Sequence, residues 1–441
     1  MKFIIFGLTI LFSIINPPAF ADEISQSKSL EFSGYITNRY DKVYRRNDVG
    51  RLWLTDHFRS VFNLDIQAHP ADQVDVYGKL GMTKYWNQWI TQNRQTDGVY
   101  NFNTQTRFAD SVIRVEEAYF NYKPFSWFTL TGGRLPTTHG SPVKYYAGKH
   151  FSGIYPKLAY GSDLDGAITT FHIAHALLAD HHLDLRLAYV PYLLQNYNYQ
   201  QTSTSTRPNT NSSASDAETL APQAMASVHY EYKNLNLVAH YRWLNYLRFP
   251  DATISEASLN SGLSGTALTN SNIAVSLKML TFHAEITDIA ESRIDLSTSY
   301  LMSTLSSSGK ATVTTGTLAG TDLGGYGTSK SDDTLNGGVL LVASRYHFLW
   351  EELKNPYLGI EFLTATKDSF YYDGFSEDPG RFYETRGNAY HVYILQPLNE
   401  ALTVRVGYRR QDFSWTPIAL GSTRDDRSKI ETYYAHFKID F

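Results

Sequence analysis

Hydrophobic and polar residues alternate with a period of two over long stretches of the chain, and this pattern predicts β-strands. The clearest stretch is 52–68, in which Leu54 and Phe58 share one parity while His57 and Arg59 share the other. Neighbouring side chains of a strand point to opposite faces, whereas a helix would scatter these residues over both sides. The stretch is therefore predicted to be a strand with one apolar and one polar face.

Similar stretches recur to the end of the chain, and the gaps between them are alternately short and long. The predicted strands are 30–40, 52–68, 74–86, 112–122, 128–135, 164–175, 183–192, 223–232, 235–246, 273–279, 280–288, 338–348, 357–365, 389–396, 402–413 and 429–441. These are about 16 strands, and an even number with short turns at one end and long loops at the other is typical of outer-membrane barrels. We therefore predict an all-β fold, a transmembrane antiparallel β-barrel of one domain over 22–441 in which the first strand pairs with the last. A soluble periplasmic β-protein, the alternative, would not explain the alternation.

Residues 1–21 are predicted to be a cleaved signal peptide. Lys2 supplies a positive start, 3–15 are mostly apolar, and Ala19-Phe20-Ala21 has the small residues of a cleavage site. The apolar run is too short for a membrane-spanning helix, so an uncleaved anchor is the weaker alternative. We expect export to the bacterial outer membrane.

Composition agrees with a barrel and excludes several other classes. Aromatic residues make up 14% of the chain, with 32 Tyr and 24 Phe, yet the mean hydropathy is −0.32, which fits a barrel with aromatic girdles better than an inner-membrane protein. The absence of cysteine excludes thiolate metal sites and cysteine nucleophiles. A net charge of −4 without a basic stripe gives no indication of nucleic-acid binding.

The long connection 137–162 is predicted to fold into the lumen. It follows the predicted hairpin of strands 112–122 and 128–135, and connections of this length inside a compact domain are usually functional. The residues that it and its end would bring to the pore are Lys144, Tyr145, Lys149, Asp163 and Asp165. Because the loop itself is basic, it favours an anion-preferring constriction.

Parity also predicts a polar inner face whose cations fall on strands that become neighbours when the barrel closes. These pore-lining candidates are Arg405, Arg409, Lys438, Arg39, Arg59, Lys79 and Arg114, with the carboxylate Glu116 among them. Rings of Lys and Arg in a narrow pore favour anions. Ion pairs that only stiffen the wall are the alternative, and inner-face carboxylates are available for them.

Two sequence motifs resemble those of bacterial outer-membrane proteins. The last strand places Tyr433, Phe437 and Phe441 on one face and ends on the aromatic, which resembles the recognition strand bound by the barrel insertion machinery. The run RVEEAY at 114–119, followed by a hairpin and Gly132-Gly133-Arg134, resembles the "REAY … GR" hairpin of proteobacterial porins and porin-like proteins.

The resemblance implies a Gram-negative outer-membrane channel in contact with outer-membrane lipid, and it makes a homotrimer possible. Phe441 would serve as the assembly signal. Porins of this kind generally have an acidic constriction loop facing an arginine wall. This chain departs from that arrangement, because both the predicted loop and the predicted wall are basic.

Catalytic motifs are weak. His139-Gly140-Ser141 superficially resembles the His-x-Ser pair of outer-membrane phospholipases, but it lies in a loop flanked by proline instead of in the middle of a strand, and a serine nucleophile needs a base within hydrogen-bond reach. His229, His240 and His283 share inner parity and would form a polar wall or, alternatively, a ligand cluster. We expect a passive channel for small hydrophilic solutes, without catalysis or cofactor. A substrate-specific channel and a non-conducting barrel (adhesin, structural protein or embedded hydrolase) are the alternatives.

Overall fold

The chain folds into a closed barrel of antiparallel strands. The computed structural model describes residues 29–46, 52–86, 113–136, 164–173, 181–191, 222–248, 268–269, 274–308, 311–313, 322–323, 334–371, 382–415 and 427–441. The predicted signal peptide 1–21 and the loop 137–162 lie outside these residues. In the described ranges, none of the helical turns is long and apolar enough to cross a membrane.

Sixteen strands form the barrel, in chain order around the wall. They are β1 (Ser29–Arg46), β2 (Leu52–Ala71), β3 (Val74–Tyr85), β4 (Arg114–Phe125), β5 (Phe128–Arg134), β6 (Asp165–His172), β7 (His181–Val190), β8 (Gln223–Tyr232), β9 (Leu235–Arg248), β11 (Ala274–Ile286), β12 (Ile294–Ser308), β15 (Thr334–His347), β16 (Tyr357–Ala365), β17 (Gly387–Pro397), β18 (Leu402–Phe413) and β19 (Lys429–Asp440). Three short strands, β10 (Leu268–Thr269), β13 (Ala311–Val313) and β14 (Asp322–Leu323), form a separate sheet. The predicted fold class is confirmed.

The barrel closes where β1 meets β19, as predicted. The pairing runs from Tyr35 opposite Asp440 to Arg46 opposite Lys429. Gly34 and Phe441 add two backbone hydrogen bonds, with N to O distances of 2.9 and 3.0 Å. On its other side β1 pairs with β2 from Ser29 onward, so residues 29–33 extend beyond the end of β19. Closure leaves no sheet edge along the shared length of the strands.

The Phe441 ring fits at the seam between β1 and β19 only because residue 34 is glycine. A Cβ atom on Gly34 would overlap the carbonyl oxygen of Asn63 and come within 2.8 Å of Cζ of Phe441. The Phe441 ring lies there and stacks on Phe62, with ring centroids 6.1 Å apart and an interplanar angle of 20°. The last residue therefore packs into a place prepared by the first two strands.

Short and long connections alternate between the two ends of the barrel. One end carries 72–73, 126–127, 173–180, 233–234, 287–293, 348–356 and 398–401, and both strand termini Ser29 and Phe441 lie there. The other end carries the long connections, with one exception, because only 47–51 separate β1 from β2.

The predicted strand number is right, but two of the predicted strands are wrong. The segments 273–279 and 280–288 form the single strand β11, and β12 lies between 288 and 338, where no strand is predicted. In β11 the inner positions Leu277 and Met279 are apolar and buried, so apolar residues occur on both faces and obscure the period. In β12 the inner face instead carries Ser297 and Ser299, which in sequence look like a solvated loop.

The outer face of the barrel is apolar and carries aromatic rings towards both ends. At the short-turn end, Phe125 stacks on Trp127 at 5.4 Å and Phe348 stacks on Trp350 at 4.9 Å. Near the long-loop end, Tyr433 contacts both Tyr44 and Tyr408, at 6.0 and 4.9 Å. Exposed apolar residues such as Ile394 and Val406 lie between these rings. Such a band between aromatic girdles is typical of transmembrane barrels.

Part of the inner face is also apolar, and these residues are packed together. Leucines on the inner face of successive strands from β9 to β16 are almost fully buried. They are Leu244, Leu277, Leu301, Leu341 and Leu363. Phe370, Tyr371, Phe382 and Tyr383, from the connection between β16 and β17, pack into the same cluster. One sector of the lumen is therefore filled by a hydrophobic core.

The structure of the seam predicts that alanine substitution lowers the stability of the barrel at one glycine, Gly34, more than at another, Gly78. Gly34→Ala should destabilise the folded barrel by about 1–3 kcal/mol, because the new methyl group must displace Phe441 or the β2 backbone. Gly78→Ala is the matched control, since its Cβ would have Ile66 Cβ as its nearest neighbour at 3.9 Å. Urea unfolding in detergent micelles measures both, and equal effects of the two substitutions would contradict the role given to the seam.

Candidate functional site

A row of basic side chains crosses four neighbouring strands on the inner face. Strand register places Arg405 opposite His436, His436 opposite Arg39, and Arg39 opposite Arg59. Directly opposed side chains of antiparallel strands lie about 5 Å apart at Cβ, so the like charges of Arg39 and Arg59 repel. We call Arg405, His436, Arg39 and Arg59 the basic row. The sequence predicted three of its members and missed His436.

The Tyr434 ring contacts three arginines of the inner face. We use the name basic wall for the predicted inner-face cations Arg39, Arg59, Lys79, Arg405, Arg409 and Lys438. The guanidinium carbons of Arg39, Arg409 and Arg405 lie 4.3, 5.2 and 5.6 Å from the centre of the Tyr434 ring. Cations are attracted to the face of an aromatic ring, more strongly where water is excluded, and Tyr434 is only 3% exposed. The ring therefore offsets part of the repulsion among the three charges.

Several wall cations have carboxylate partners as well. Asp41 is fully buried and accepts a hydrogen bond from Nε of Arg39 at 2.8 Å. Lys438 pairs with Asp440 at 2.9 Å and lies 5.0 Å from the Tyr35 ring. Nη2 of Arg405 lies 3.3 Å from Nδ1 of His436. The wall thus combines ion pairs with cation–aromatic contacts.

The wall cations differ in the exposed fraction of their side chains. Arg39, Arg59, Lys79 and Arg409 are each 3–5% exposed, whereas the Lys438 side chain is 17% exposed and Arg405 is of intermediate burial. Arg405 and Lys438 are therefore the cations that a solute in the lumen would meet first.

A β-bulge in β4 places one more carboxylate beside the wall than parity predicted. The register between β3 and β4 shifts so that Lys79 lies opposite Glu117 and Gly81 lies opposite Arg114. Glu116 is the extra residue, and its carboxylate occupies the space that a Cβ on Gly81 would need. Glu116 and Glu117 thus both lie near Lys79, and the period-two pattern assigned only Glu116 to this face.

Of the five remaining predicted pore residues, the structure describes one, Asp165. Asp165 forms a two-point ion pair with Arg134, at 2.9 and 3.1 Å. It has the parity opposite to the buried Ile168 and Thr170, so it faces away from the basic row. Lys144, Tyr145, Lys149 and Asp163 lie outside the described residues, and an inward position of 137–162 stays a prediction.

The described parts of the connection between β16 and β17 lie in the lumen. Residues 366–371 and 382–386, which follow β16 and precede β17, pack against inner faces, and we call them the inner segments. The amide of Phe370 donates to Oγ of Ser303 at 2.9 Å, and Nε2 of Gln411 donates to Oγ1 of Thr385 at 2.8 Å. Their inward position is not predicted from the sequence, although the six aromatic residues of the polar stretch 366–386 are a usable signal.

A chain of polar contacts links the inner segments to the basic wall. Tyr383 Oη donates to Oε2 of Glu361 at 3.3 Å, and Nδ1 of His391 lies 3.1 Å from the same oxygen. Nε2 of His391 lies 2.7 Å from Oη of Tyr434. The Phe382 ring packs on His391 and on Arg409, at 5.7 and 5.5 Å.

Burial changes the acid–base properties of the inner segments. Burial raises the pKa of the Tyr383 hydroxyl well above its usual value, with the charges of Arg409 and Arg405 acting in the opposite direction. Burial lowers the pKa of Arg386 to about 10, against the attraction of Asp368 and Glu384. Both groups keep their usual neutral-pH charge states, so the segments carry a phenol and a guanidinium.

The short-turn end of the lumen is lined by three similar clusters. In each, one aspartate bonds to a histidine at 2.7 Å and to an arginine or lysine at 2.5–2.7 Å. The clusters are Asp75 with His69 and Lys123, Asp184 with His172 and Arg186, and Asp295 with His347 and Arg345. Each carboxylate is held by two partners, which rigidifies the strands at this end.

The inner histidines of the later strands bond to neighbouring polar groups. Nδ1 of His283 lies 2.7 Å from Oγ of Ser299, and Nε2 of His229 lies 2.9 Å from the Asn236 side-chain oxygen. Across the described part of the chain, no three His, Asp or Glu side chains are arranged to hold a metal ion.

Sequence comparison places the chain in a family without an assigned function. The model of the family described as "Protein of unknown function (DUF3373)" matches residues 55–422. The chain belongs to this family. No curated protein matches this DUF3373 protein.

Solved structures similar to this DUF3373 protein come from outer-membrane proteins at low identity. A loop-deletion mutant of OmpT from Vibrio cholerae is 12% identical, covers 94% of this chain and 100% of its own, and has a TM-score of 0.46. Salmonella typhi OmpF in complex with daunomycin is 11% identical, with coverage of 94% and 98% and a TM-score of 0.48. The anion-selective porin from Comamonas acidovorans is 10% identical, with coverage of 94% and 100% and a TM-score of 0.48.

Tyr434 gives a test of how the DUF3373 basic wall is held. Tyr434→Leu should destabilise the barrel by about 3–5 kcal/mol, because it removes a buried ring that contacts three guanidinium groups. Tyr434→Phe should cost only about 1 kcal/mol, through the lost bond to His391. Tyr433→Leu, on the outer face and 50% exposed, is the control. Chemical unfolding in micelles ranks the three variants, and a Tyr433 effect as large as that of Tyr434→Leu would disprove the assignment.

The Asp295 cluster predicts a large effect for a single lost charge. Asp295→Asn should destabilise the barrel by about 3–5 kcal/mol, because Arg345, which is only 5% exposed, would remain buried beside a neutral amide. Asp412→Asn breaks another Asp–Arg pair, with Arg410, whose side chains are 28% and 41% exposed, and should cost about 0–1 kcal/mol. Thermal loss of the compact band in semi-native electrophoresis compares the two, and similar behaviour would count against a structural role for the cluster.

Proposed function

We propose that this DUF3373 protein is an outer-membrane channel for passive diffusion of small hydrophilic solutes and that it prefers anions. The outer face supports the membrane location, because exposed apolar residues lie between two aromatic zones on a closed barrel. The polar inner face supports a path for hydrophilic solutes, since it carries charged and hydrogen-bonding groups from nearly every strand.

The basic row is the single observation that supports anion preference. Its four members are adjacent in register, and no carboxylate occupies a position in the row. At an effective dielectric constant of about 20, one unit charge acts on another at 4 Å with roughly 4 kcal/mol. Asp41, Asp440, Glu116 and Glu117 reduce this attraction nearby, so the expected preference for anions is moderate.

A second candidate is a non-conducting barrel that serves as an adhesin or a structural protein. The observation in its favour is the hydrophobic core that fills one sector of the lumen, together with the low exposure of Arg39 and Arg59. A substrate-specific channel is a narrower form of the first proposal. We propose neither a catalytic activity nor a cofactor.

Assembly and location follow the same proposal. We propose that the chain is exported in a Gram-negative bacterium, loses residues 1–21, and is inserted into outer-membrane lipid by the barrel insertion machinery. Phe441 would be part of the recognised signal, and its place at the seam supports that role. A homotrimer is a further proposal, which cross-linking in native membranes would test.

Planar lipid bilayers test conduction and selectivity together. We expect single-channel steps, and in a KCl gradient a reversal potential of the sign that anion preference produces. Arg405→Ala should shift the reversal potential towards cation preference, because Arg405 is an accessible member of the basic row. Arg410→Ala, on the outer face of the same strand, should leave it unchanged.

The outcomes separate the candidates. Native cation preference, or equal behaviour of the two arginine variants, would disprove the role of the basic row. Absence of any conductance from refolded, heat-modifiable protein would disprove the channel and favour the second candidate.

A further inference from the structure

We infer that the inner segments 366–371 and 382–386 form the constriction of this channel, closing one sector of the lumen and directing small oxyanions and other small anions along the wall of Arg405 and Lys438. This inference rests on the proposed channel function. It assigns the constriction to a connection other than the 137–162 loop expected from the sequence.

The closed sector is the one lined by apolar residues. Leu363 is fully buried on the inner face of β16, and Leu341 lies directly opposite it on β15. In a water-filled lumen such side chains would be exposed, at a cost of about 25 cal/mol for each Å² of apolar surface. Instead Phe370 and Phe382 pack into the same cluster. Water and solutes are therefore excluded from this sector.

The first inner segment is bonded to the wall at three points. Thr366 and Gly338 exchange two hydrogen bonds of 2.9 Å, one through the Thr366 hydroxyl. Ser369 packs directly on Gly337, where a Cβ would overlap its backbone. The Phe370 amide donates to Ser303 on β12. These contacts fix the segment against β12 and β15.

The second inner segment is fixed against the opposite flank of the same sector. Thr385 accepts a hydrogen bond from Gln411 of β18, and the Arg386 carbonyl accepts one from the Ser414 amide at 2.9 Å. The carboxylate of Glu361 accepts a hydrogen bond from the Tyr383 hydroxyl and lies beside His391. Glu361 and Tyr383 are thus positioning residues that set where the segment lies.

The same contacts bring the constriction up to the basic wall. His391 joins Glu361 to Tyr434, and the Phe382 ring covers Arg409. Arg405 lies at this edge against the same Tyr434 ring and is of intermediate burial, and Lys438, which is 17% exposed, lies four residues further along β19. Guanidinium groups bind carboxylates and phosphates through paired N–H donors, and ammonium groups add a point charge. Small oxyanions therefore fit the remaining path better than neutral or cationic solutes of similar size.

The first measurement is cysteine accessibility, which does not depend on conduction. The chain contains no cysteine, so single variants Leu363→Cys and Lys438→Cys give clean signals. In refolded protein, a charged methanethiosulfonate reagent should modify Lys438→Cys quickly. Leu363→Cys should react at no more than about one tenth of that rate, as measured by mass spectrometry. Equal rates would overturn the inference.

The second measurement loosens the constriction. Glu361→Gln with Tyr383→Phe removes the positioning contact, and it should speed modification of Leu363→Cys and raise conductance by about twofold. The matched control is Glu431→Gln with Tyr408→Phe, which removes a 2.8 Å Tyr–Glu hydrogen bond on the outer face. No change in the first pair, or the same change in both pairs, would overturn the inference. Tyr383→Phe alone is the milder variant if the double variant fails to fold.

A disulfide between the second inner segment and β18 tests whether fixing the segment in place reverses the effect of loosening it. Thr385→Cys with Gln411→Cys replaces two side chains that are already hydrogen bonded, and its oxidation in the loosened variant should restore the native conductance and anion preference. Acetate and inorganic phosphate gradients measure the oxyanion path. A conducting native channel with an accessible Leu363→Cys refutes only the constriction. A native protein that never conducts, while Leu363→Cys stays protected, refutes the proposed channel and with it the solute path.

Discussion

The pairing of β1 with β19 is the constraint on which the rest of the structure depends. In lipid every backbone N–H and C=O must be bonded within the protein, so the sheet has to close, and it closes in one register. A slip by one residue would turn every inner side chain of a strand to the outside. Because the register holds, Arg39 of the first strand meets His436 of the last and Arg59 of the second. The basic row is thus a product of closure rather than of any local motif.

Tyr434 connects two parts of the lumen that are distant in sequence. Its ring face lies against three guanidinium groups, and its hydroxyl lies beside His391, which contacts Glu361. Adjacent like charges would destabilise a bare wall, so the aromatic ring and the buried Asp41 are what make the row tolerable. The same residue therefore stabilises the charged wall and ties it to the inner segments.

Much of the fold could be predicted from the sequence, but less of the site. The period of two in β2 and the terminal aromatic gave the barrel and its closing pair, because a wall with lipid on one side and a polar lumen on the other forces alternation. The pattern does not predict the strands correctly where the inner face departs from an ordinary polar wall. In β11 apolar inner residues make one strand look like two, and in β12 inner serines make a strand look like a loop. A bulge at Glu116 is invisible to parity. The inner segments were missed because the partners of their aromatic residues, such as Ser303 and Glu361, are remote in sequence.

The overhang of β1 at the short-turn end has a practical consequence for work on this protein. Residues 29–33 pair with β2 but lie past the end of β19. A peptide fused after Phe441 would leave the wall in line with this overhang and would pair along it as an added strand. An affinity tag at that terminus would therefore lie beyond the short-turn end of the barrel, but it would also place Phe441 inside a longer strand. Reporter fusions are better placed in the 47–51 link, at the opposite end of the same hairpin.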